Sequence, residues 1–274
     1  MSDPLKLPLV IEPDELEPLL GHPDLLVLDF SAPDTYRRAH VPGALFVPFQ
    51  HTMNGMPPAV GALPAPQHLD QLLSAIGLTE DKWVIVYDDE GGGWAGRFIW
   101  LLDCIGHQCY SYLNGGIHGW LADEKAPSQD PVEPVASDYS VTVSDDAFAV
   151  NKEYLIANHT REDLVVWDAR SPEEFVGTRV NAQKAGHIPG ACNYEWVRAM
   201  DRSHGLKIRN HDEVLSELAE CGITPDKEVI THCQSHHRSG FTYLLGKVLG
   251  FKNIKPYPGS WSEWGNDPDT PVEC

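Results

Sequence analysis

Basic residues are scarce in this chain: 20 Lys and Arg stand against 40 Asp and Glu, a formal charge of −20 with His taken as neutral. A surface that acidic repels phosphodiester backbones and anionic lipid heads, so nucleic acid and membrane are poor partners for it. Long apolar runs are missing too, and none approaches the ~18–20 residues needed to span a bilayer. The opening stretch MSDPLKLPLV has neither a basic n-region nor a continuous apolar core, so no secretory signal is read there. Cysteine pairing patterns are also lacking. Cys104, Cys109, Cys192, Cys221, Cys233 and Cys274 form no C-x-x-C pair and follow no regular spacing, which argues against a disulfide framework or a zinc module. The expectation is a cytoplasmic protein whose thiols stay reduced.

What is present is a globular composition, 42% hydrophobic with eight Trp. At roughly 150 residues per domain, 274 residues suggest about two domains. Internal similarity supports that number. LLVLDFSAPDTYRRAHVPGA (25–44) resembles LVVWDARSPEEFVGTRVNAQKAGHIPGA (164–191), with eight extra residues in the second copy. LTEDKWVIVYDD (78–89) matches ITPDKEVITHCQ (223–234) at an offset of 145, and GGIHGW (115–120) matches GSWSEW (259–264) at 144. Matches in the same order at one long period indicate a tandem duplication and not a solenoid. Between the copies, KAPSQDPVEPVASDYS is rich in Pro and acids without apolar periodicity, as a linker is. The expected organisation is domain one at 1–124, a linker at 125–141 and domain two at 142–274.

Each copy alternates strand and helix. WVIVY (83–87) is a continuous apolar run suited to a strand covered on both faces, and RFIWLLDCIG after it is helical in pattern. EVITHC leads through a polar loop into SGFTYLLGKVLGF, where Phe241, Leu244, Leu245 and Val248 share one helical face. Strand, loop and helix repeated along both halves predict an α/β fold with mostly parallel sheets. Ligands in such sheets bind beyond the carboxyl ends of the strands, before helix N-termini.

Cys233 falls at that place. In VITHCQSHHRSGF the thiol follows a buried strand and precedes a helix by a few residues. A helix N-terminus offers unpaired N–H groups and about half a positive charge, and Arg238 with His236 and His237 adds cationic character. Consecutive loop N–H groups also converge on anions. These effects favour the thiolate, the nucleophilic form. In the first copy Asp88 stands opposite Cys233, within VIVYDDEGGGWAGR. A carboxylate cannot replace a thiolate nucleophile, so domain one is expected to be catalytically silent. Its glycines do not form a phosphate loop, since G-x-x-x-x-G-K-[ST] is absent.

Strand–Cys–x4–Arg–Ser-Gly–helix, the HIPGA segment and the duplicated layout together resemble the rhodanese family of sulfurtransferases. The loop CQSHHR is similar to that of the two-domain bacterial thiosulfate:cyanide enzymes. The resemblance implies two tandem rhodanese-like domains, each a mostly parallel sheet flanked by helices. It implies that Cys233 takes the outer sulfur of thiosulfate as a persulfide and passes it to cyanide or to a thiol or dithiol acceptor, such as a small redox protein. No cofactor is implied beyond that persulfide, no metal, and a monomer. Both half-reactions are attacks at sulfur, as in thiol–disulfide exchange, so a preformed thiolate needs no dedicated His base. Arg238, with Gln234, Ser235, His236 and His237, is expected to bind the dianionic donor.

Three alternatives remain open on sequence. The donor is 3-mercaptopyruvate in related enzymes, whose loops are smaller and uncharged, and Gln234 and Ser235 here replace the Arg and Lys of the better-known rhodanese loop. Cysteine phosphatases enclose five residues between Cys and Arg, against four here, which suits one sulfur atom better than a phosphate. His232, Cys233, His236 and His237 contain four metal-ligand types in six residues, though residues pointing out from a tight loop diverge. Asp29, Asp168, His40 and His187 read as structural, and Glu195 and Trp196 as pocket candidates. Arg198, Arg202, Lys207 and Arg209 read as a solvated basic surface, or as a collar for anions. Residues 1–139 hold 20 acids and 6 bases and residues 140–274 hold 20 and 14, so the bases gather in the half with the cysteine.

Overall fold

Five-residue strands form the centres of two separate sheets. In chain order the first half supplies β1 (Val10–Ile11), α1 (Pro13–Leu16), β2 (Leu25–Asp29), α2 (Pro33–Arg38), β3 (Leu45–Phe46), α3 (Pro66–Ala75), β4 (Trp83–Tyr87), α4 (Gly93–Cys104), β5 (Tyr110–Leu113) and α5 (Gly116–Ala122). The second half supplies α6 (Asp145–Phe148), α7 (Lys152–Asn158), β6 (Leu164–Asp168), α8 (Pro172–Phe175), β7 (Cys192–Asn193), β8 (Met200–Asp201), β9 (Lys207–Ile208), α9 (His211–Glu220), β10 (Glu228–His232), α10 (Arg238–Val248), β11 (Ile254–Pro256) and α11 (Ser260–Trp264). This computed structural model describes residues 5–274, so the first four residues of MSDPLKLPLV lie outside the described residues. Among the described residues, no helix is long and apolar enough to cross a membrane.

The first sheet has the order β1-β5-β4-β2-β3 and the second β11-β10-β6-β7, and every pairing in both is parallel. Their centres match strand for strand. β2 pairs with β4 from Leu25↔Trp83 to Asp29↔Tyr87, and β6 pairs with β10 from Leu164↔Glu228 to Asp168↔His232. Parallel strands need covered faces, and both sheets have them. Val27, Ile85 and Leu113 pack with Ile117 and Trp120 in one core. Val166 and Ile230 pack with Tyr257, Trp261 and Trp264 in the other. α4 is buried over nearly its whole circumference, Arg97 and Asp103 included.

The chain divides into two compact units: residues 1–52, 64–144 and 200–208 form one, and 53–63, 145–199 and 209–274 the other. The linker span contains no helix or strand, apart from the bridge of Ser128 to His40. Two short segments therefore belong to the unit opposite the one a single cut at 125–141 gives them. Their contacts explain it. Gly61 lies so close to Ser235 and Pro258 that an added Cβ would meet their carbonyl oxygens at 2.5 and 2.4 Å. Lys207, on the β8–β9 hairpin, binds Glu12 and Asp123, and the Ile208 N–H donates to Asn114. Neither contact has a local sequence signal.

Candidate active site

Cys233 follows the last residue of β10, an interior strand of the second sheet, and α10 begins five residues later. The turn between them wraps around the sulfur. The Ser239 hydroxyl donates to Cys233 Sγ at 3.5 Å, and the backbone N–H groups of Ser239 and Ser235 point at it as well. The side chain is 1% exposed. Such burial pushes a thiol up, but the charge of Arg238, the Ser239 hydroxyl and those two N–H groups outweigh it and hold Cys233 below the ordinary thiol range. The site therefore favours a thiolate that is dry and held by hydrogen bonds.

The loop is fastened from below by α11. The carbonyls of Cys233 and Gln234 accept the N–H groups of Trp261 and Ser262, both at 2.9 Å, and the Cys233 N–H donates to Ser260 Oγ at 3.4 Å. Ser260 has φ +53°, a left-handed conformation unusual for a residue with a Cβ. The position 144 residues earlier is Gly116, with φ +57°. The second copy thus places a hydroxyl where the first has glycine, and the hydroxyl binds the Cys233 turn.

Two buried ion pairs lie behind the loop. Asp168, at the end of β6, accepts the Arg170 guanidinium through both oxygens, and His232 Nε2 is 3.5 Å from the same carboxylate. Burial works against the Asp168 anion, but His232 and Arg170 hold the carboxyl below its usual range. Burial pushes the His232 imidazole down, towards the neutral form. The Arg170 guanidinium also lies 4.3 Å over the Trp261 ring, a cation–π contact. In the second pair Arg238 grips Glu174 with two nitrogens, at 2.5 and 3.0 Å. Glu174 is 3% exposed. Burial opposes its charge, yet Arg238 and the Ser171 N–H bring its carboxyl down to about 2.

Glu174 has a local reason for its place and a distant one. Ser171 caps α8, and Glu174 reaches back to the Ser171 N–H in a capping box. The S-x-x-E spacing is visible in SPEEF, but the pairing with Arg238 spans 64 residues and has no sequence signature. Asn181, in the longer stretch of the second copy, donates to Glu174 at 3.0 Å, and its carbonyl accepts the Gln234 side chain at 3.2 Å. The extra residues thus brace the loop from outside.

The loop residues expected from sequence occupy different environments. Gln234, Ser235 and His237 are partly exposed, and His237 meets the Trp196 ring edge-on at 5.5 Å. His236 is wholly buried, with φ +57° and its Nδ1 2.8 Å from Ser239 Oγ. Arg238 faces both Cys233 and Glu174. Among the described residues, no group of three His, Cys, Asp or Glu side chains is arranged to hold a metal ion. Three of the four basic residues of the 198–211 segment are spent on acids: Arg198 and Arg209 on Glu217, and Lys207 on Glu12 and Asp123. His187 and His40 bond to backbone carbonyls.

The first copy builds the same turn around a different occupant. The Asp88 carboxyl accepts four backbone N–H groups, from Glu90 and Gly92 on one oxygen and Trp94 and Ala95 on the other, at 2.8 to 3.0 Å. Burial still raises it, against those N–H groups. Where the second copy has the Cys233 sulfur, the first fills its cradle with its own side chain.

Comparison with known proteins agrees with this geometry. The family profile described as Rhodanese-like domain matches residues 12–123 and again 151–267. The thiosulfate sulfurtransferase of Pseudomonas aeruginosa is 53% identical over 267 residues, 97% of each chain. That of Azotobacter vinelandii is 50% identical over the full length of both. Among solved structures, an anaerobic ergothioneine biosynthesis enzyme from Chlorobium limicola superposes with a TM-score of 0.85 at 22% identity, covering 97% of this chain and 70% of that one; at that identity the likeness concerns the fold.

Proposed function

The chain belongs to the rhodanese family, and from that premise we propose that it is a thiosulfate sulfurtransferase working through a persulfide on Cys233. The observation that carries this reading is the buried Cys233 sulfur, whose thiol Arg238, Ser239 and two loop N–H groups hold below its ordinary range. The thiolate attacks the outer sulfur of thiosulfate. The Cys233 S–S bond forms as the donor S–S bond breaks, and sulfite leaves with the bonding pair. The loop N–H groups that hold the thiolate then lie around the persulfide. Cyanide or a thiolate attacks the terminal sulfur, the Cys233 S–S bond breaks, and thiocyanate or an acceptor persulfide departs while the thiolate is regenerated. The carrier is the chain's own sulfur, and these steps call for no further cofactor.

We assign the donor oxygens to the partly exposed side chains of Gln234, Ser235 and His237. Arg238 is assigned to the thiolate, because its guanidinium is already gripped by Glu174. Residues 5–124 are taken as catalytically silent, since Asp88 fills the corresponding cradle. The pairing of most nearby bases with acids favours the solvated-surface reading of the 198–211 segment over an anion collar. The Cys233→Ala variant should fold normally and form no thiocyanate from thiosulfate and cyanide. Thiocyanate production surviving in that variant would remove the assignment.

A further inference from the structure

His236 is an odd residue for its position. A left-handed backbone is cheap for glycine and strained for a residue with a side chain, and such strain collects where the side chain has work to do. The side chain is fully buried, with Nδ1 2.8 Å from Ser239 Oγ. The same hydroxyl lies 3.5 Å from Cys233 Sγ. Sulfur, hydroxyl and imidazole thus form a continuous hydrogen-bonded line inside the turn.

The surrounding charges define what that line can do. On β10 and after β6, His232, Asp168 and Arg170 form one buried cluster in which the acid and the guanidinium balance. Glu174 from α8 balances Arg238, and His237 lies at the outer side against Trp196. The Cys233 sulfur already faces the Arg238 guanidinium, and the His236 ring at the far end of the line is the group placed to take up the proton that ionisation of the thiol releases.

We propose that Cys233, Ser239 and His236 are a proton relay in which the resting site holds a thiolate beside a protonated imidazole. In the neutral arrangement the thiol donates to Ser239 Oγ and the Ser239 hydroxyl donates to His236 Nδ1. The S–H proton moves to Oγ as the hydroxyl proton moves to Nδ1. One S–H and one O–H bond break, one O–H and one N–H bond form, and no electrons are gained or lost. Ser239 ends neutral and donates to the thiolate, as its hydroxyl does in the structure. Ser239 is then a catalytic residue, because it touches the reacting sulfur, and His236 is a positioning residue that acts through it. The inference rests on Cys233 being the sulfur carrier, and it supplies the base that the sequence alone did not call for.

The test needs no sulfur donor. The pH dependence of Cys233 alkylation by iodoacetamide, read on the Cys233 peptide by mass spectrometry, gives the midpoint of thiolate formation. Ser239→Ala and His236→Asn, the latter tolerant of a left-handed backbone, should each raise that midpoint by roughly one to two pH units, the size of a hydrogen bond to a charged group. The double variant should match Ser239→Ala, because in the relay His236 acts on the sulfur through that hydroxyl. Additive shifts, or no shift in either single variant, would overturn the relay. If a variant does not fold, ring nitrogen shifts of His236 in the intact protein decide the question: a doubly protonated ring at neutral pH that becomes neutral on Cys233→Ser supports the relay, and an unchanged ring refutes it. Thiocyanate formation by the unmodified protein is measured alongside. Its presence without the relay sinks only the relay, and its absence with the relay intact sinks only the proposed transfer.

Discussion

Cys233 shows how a buried thiol can be shifted towards its anion against the preference of its surroundings. Desolvation alone would keep the thiol protonated, and three kinds of donor reverse that: a guanidinium, a hydroxyl and backbone N–H groups. Of these only the guanidinium has a long lever arm, and Glu174 holds it in place. The Glu174→Gln variant should loosen Arg238, raise the pH at which Cys233 ionises by about one unit and lower kcat/KM about tenfold. Alkylation and thiocyanate assays measure both, and an unchanged pH midpoint would show that Arg238 needs no such anchor. Glu174 also carries a pH signature of its own. Its carboxyl lies at about 2 in the folded chain against an ordinary 4.5, so its contribution to stability is complete above about pH 4.5 and is lost as pH falls towards 2. In Glu174→Gln that component of acid unfolding should be missing.

Elements carry the geometry that single residues use. The strand–turn–helix unit at 228–248 is legible in the sequence because it repeats the pattern that begins with the continuous apolar run WVIVY in the first copy, and because its helix has one apolar face. The duplication is legible because local patterns recur at one offset. The tertiary contacts around the turn are not. Nothing near Gly61 in sequence announces that it lies under Ser235, and Ser260 betrays its hydrogen bond to Cys233 only once Gly116 is compared with it. The donor role expected for His236 followed from its neighbours, whereas a left-handed turn directs its ring inward. Gly61→Ala tests the packing of this element. The added Cβ would meet the backbone carbonyls of Ser235 and Pro258 within 2.5 Å, too close to be accommodated unless the Cys233 turn shifts. Activity should fall about tenfold to a hundredfold, as expected for a displacement on the order of 1 Å, while the loss of stability stays within ~1–3 kcal/mol. Full activity in Gly61→Ala would mean that the turn is not held from that side.

At the scale of the whole molecule, the two copies share a sheet order and differ in how their buried charges are matched. In the second copy Asp168 has Arg170 and His232; at the equivalent place in the first, Asp29 has Ser31 and Tyr87. Without a cation, burial raises the Asp29 carboxyl to about 6, with the Ser31 and Tyr87 hydrogen bonds opposing only in part. A group raised in this way stabilises the fold fully below its ordinary value near 4 and loses that contribution as pH rises through 6. Urea unfolding followed from pH 4 to 7 should show wild type losing stability, by up to ~3 kcal/mol, and Asp29→Asn losing little. Parallel pH curves for the two would contradict this. The excess of acid in the first half thus extends into its core, and the half with the reactive cysteine keeps its buried acids paired.

The central claim is that Cys233 carries the sulfur. Incubation with thiosulfate alone, followed by peptide mass spectrometry and sulfite determination, tests it without reference to any acceptor. A gain of about 32 Da, one sulfur atom, on the Cys233 peptide, with equimolar sulfite and reversal by cyanide, is the result expected. No gain, or a gain confined to one of the other five cysteines, would contradict it.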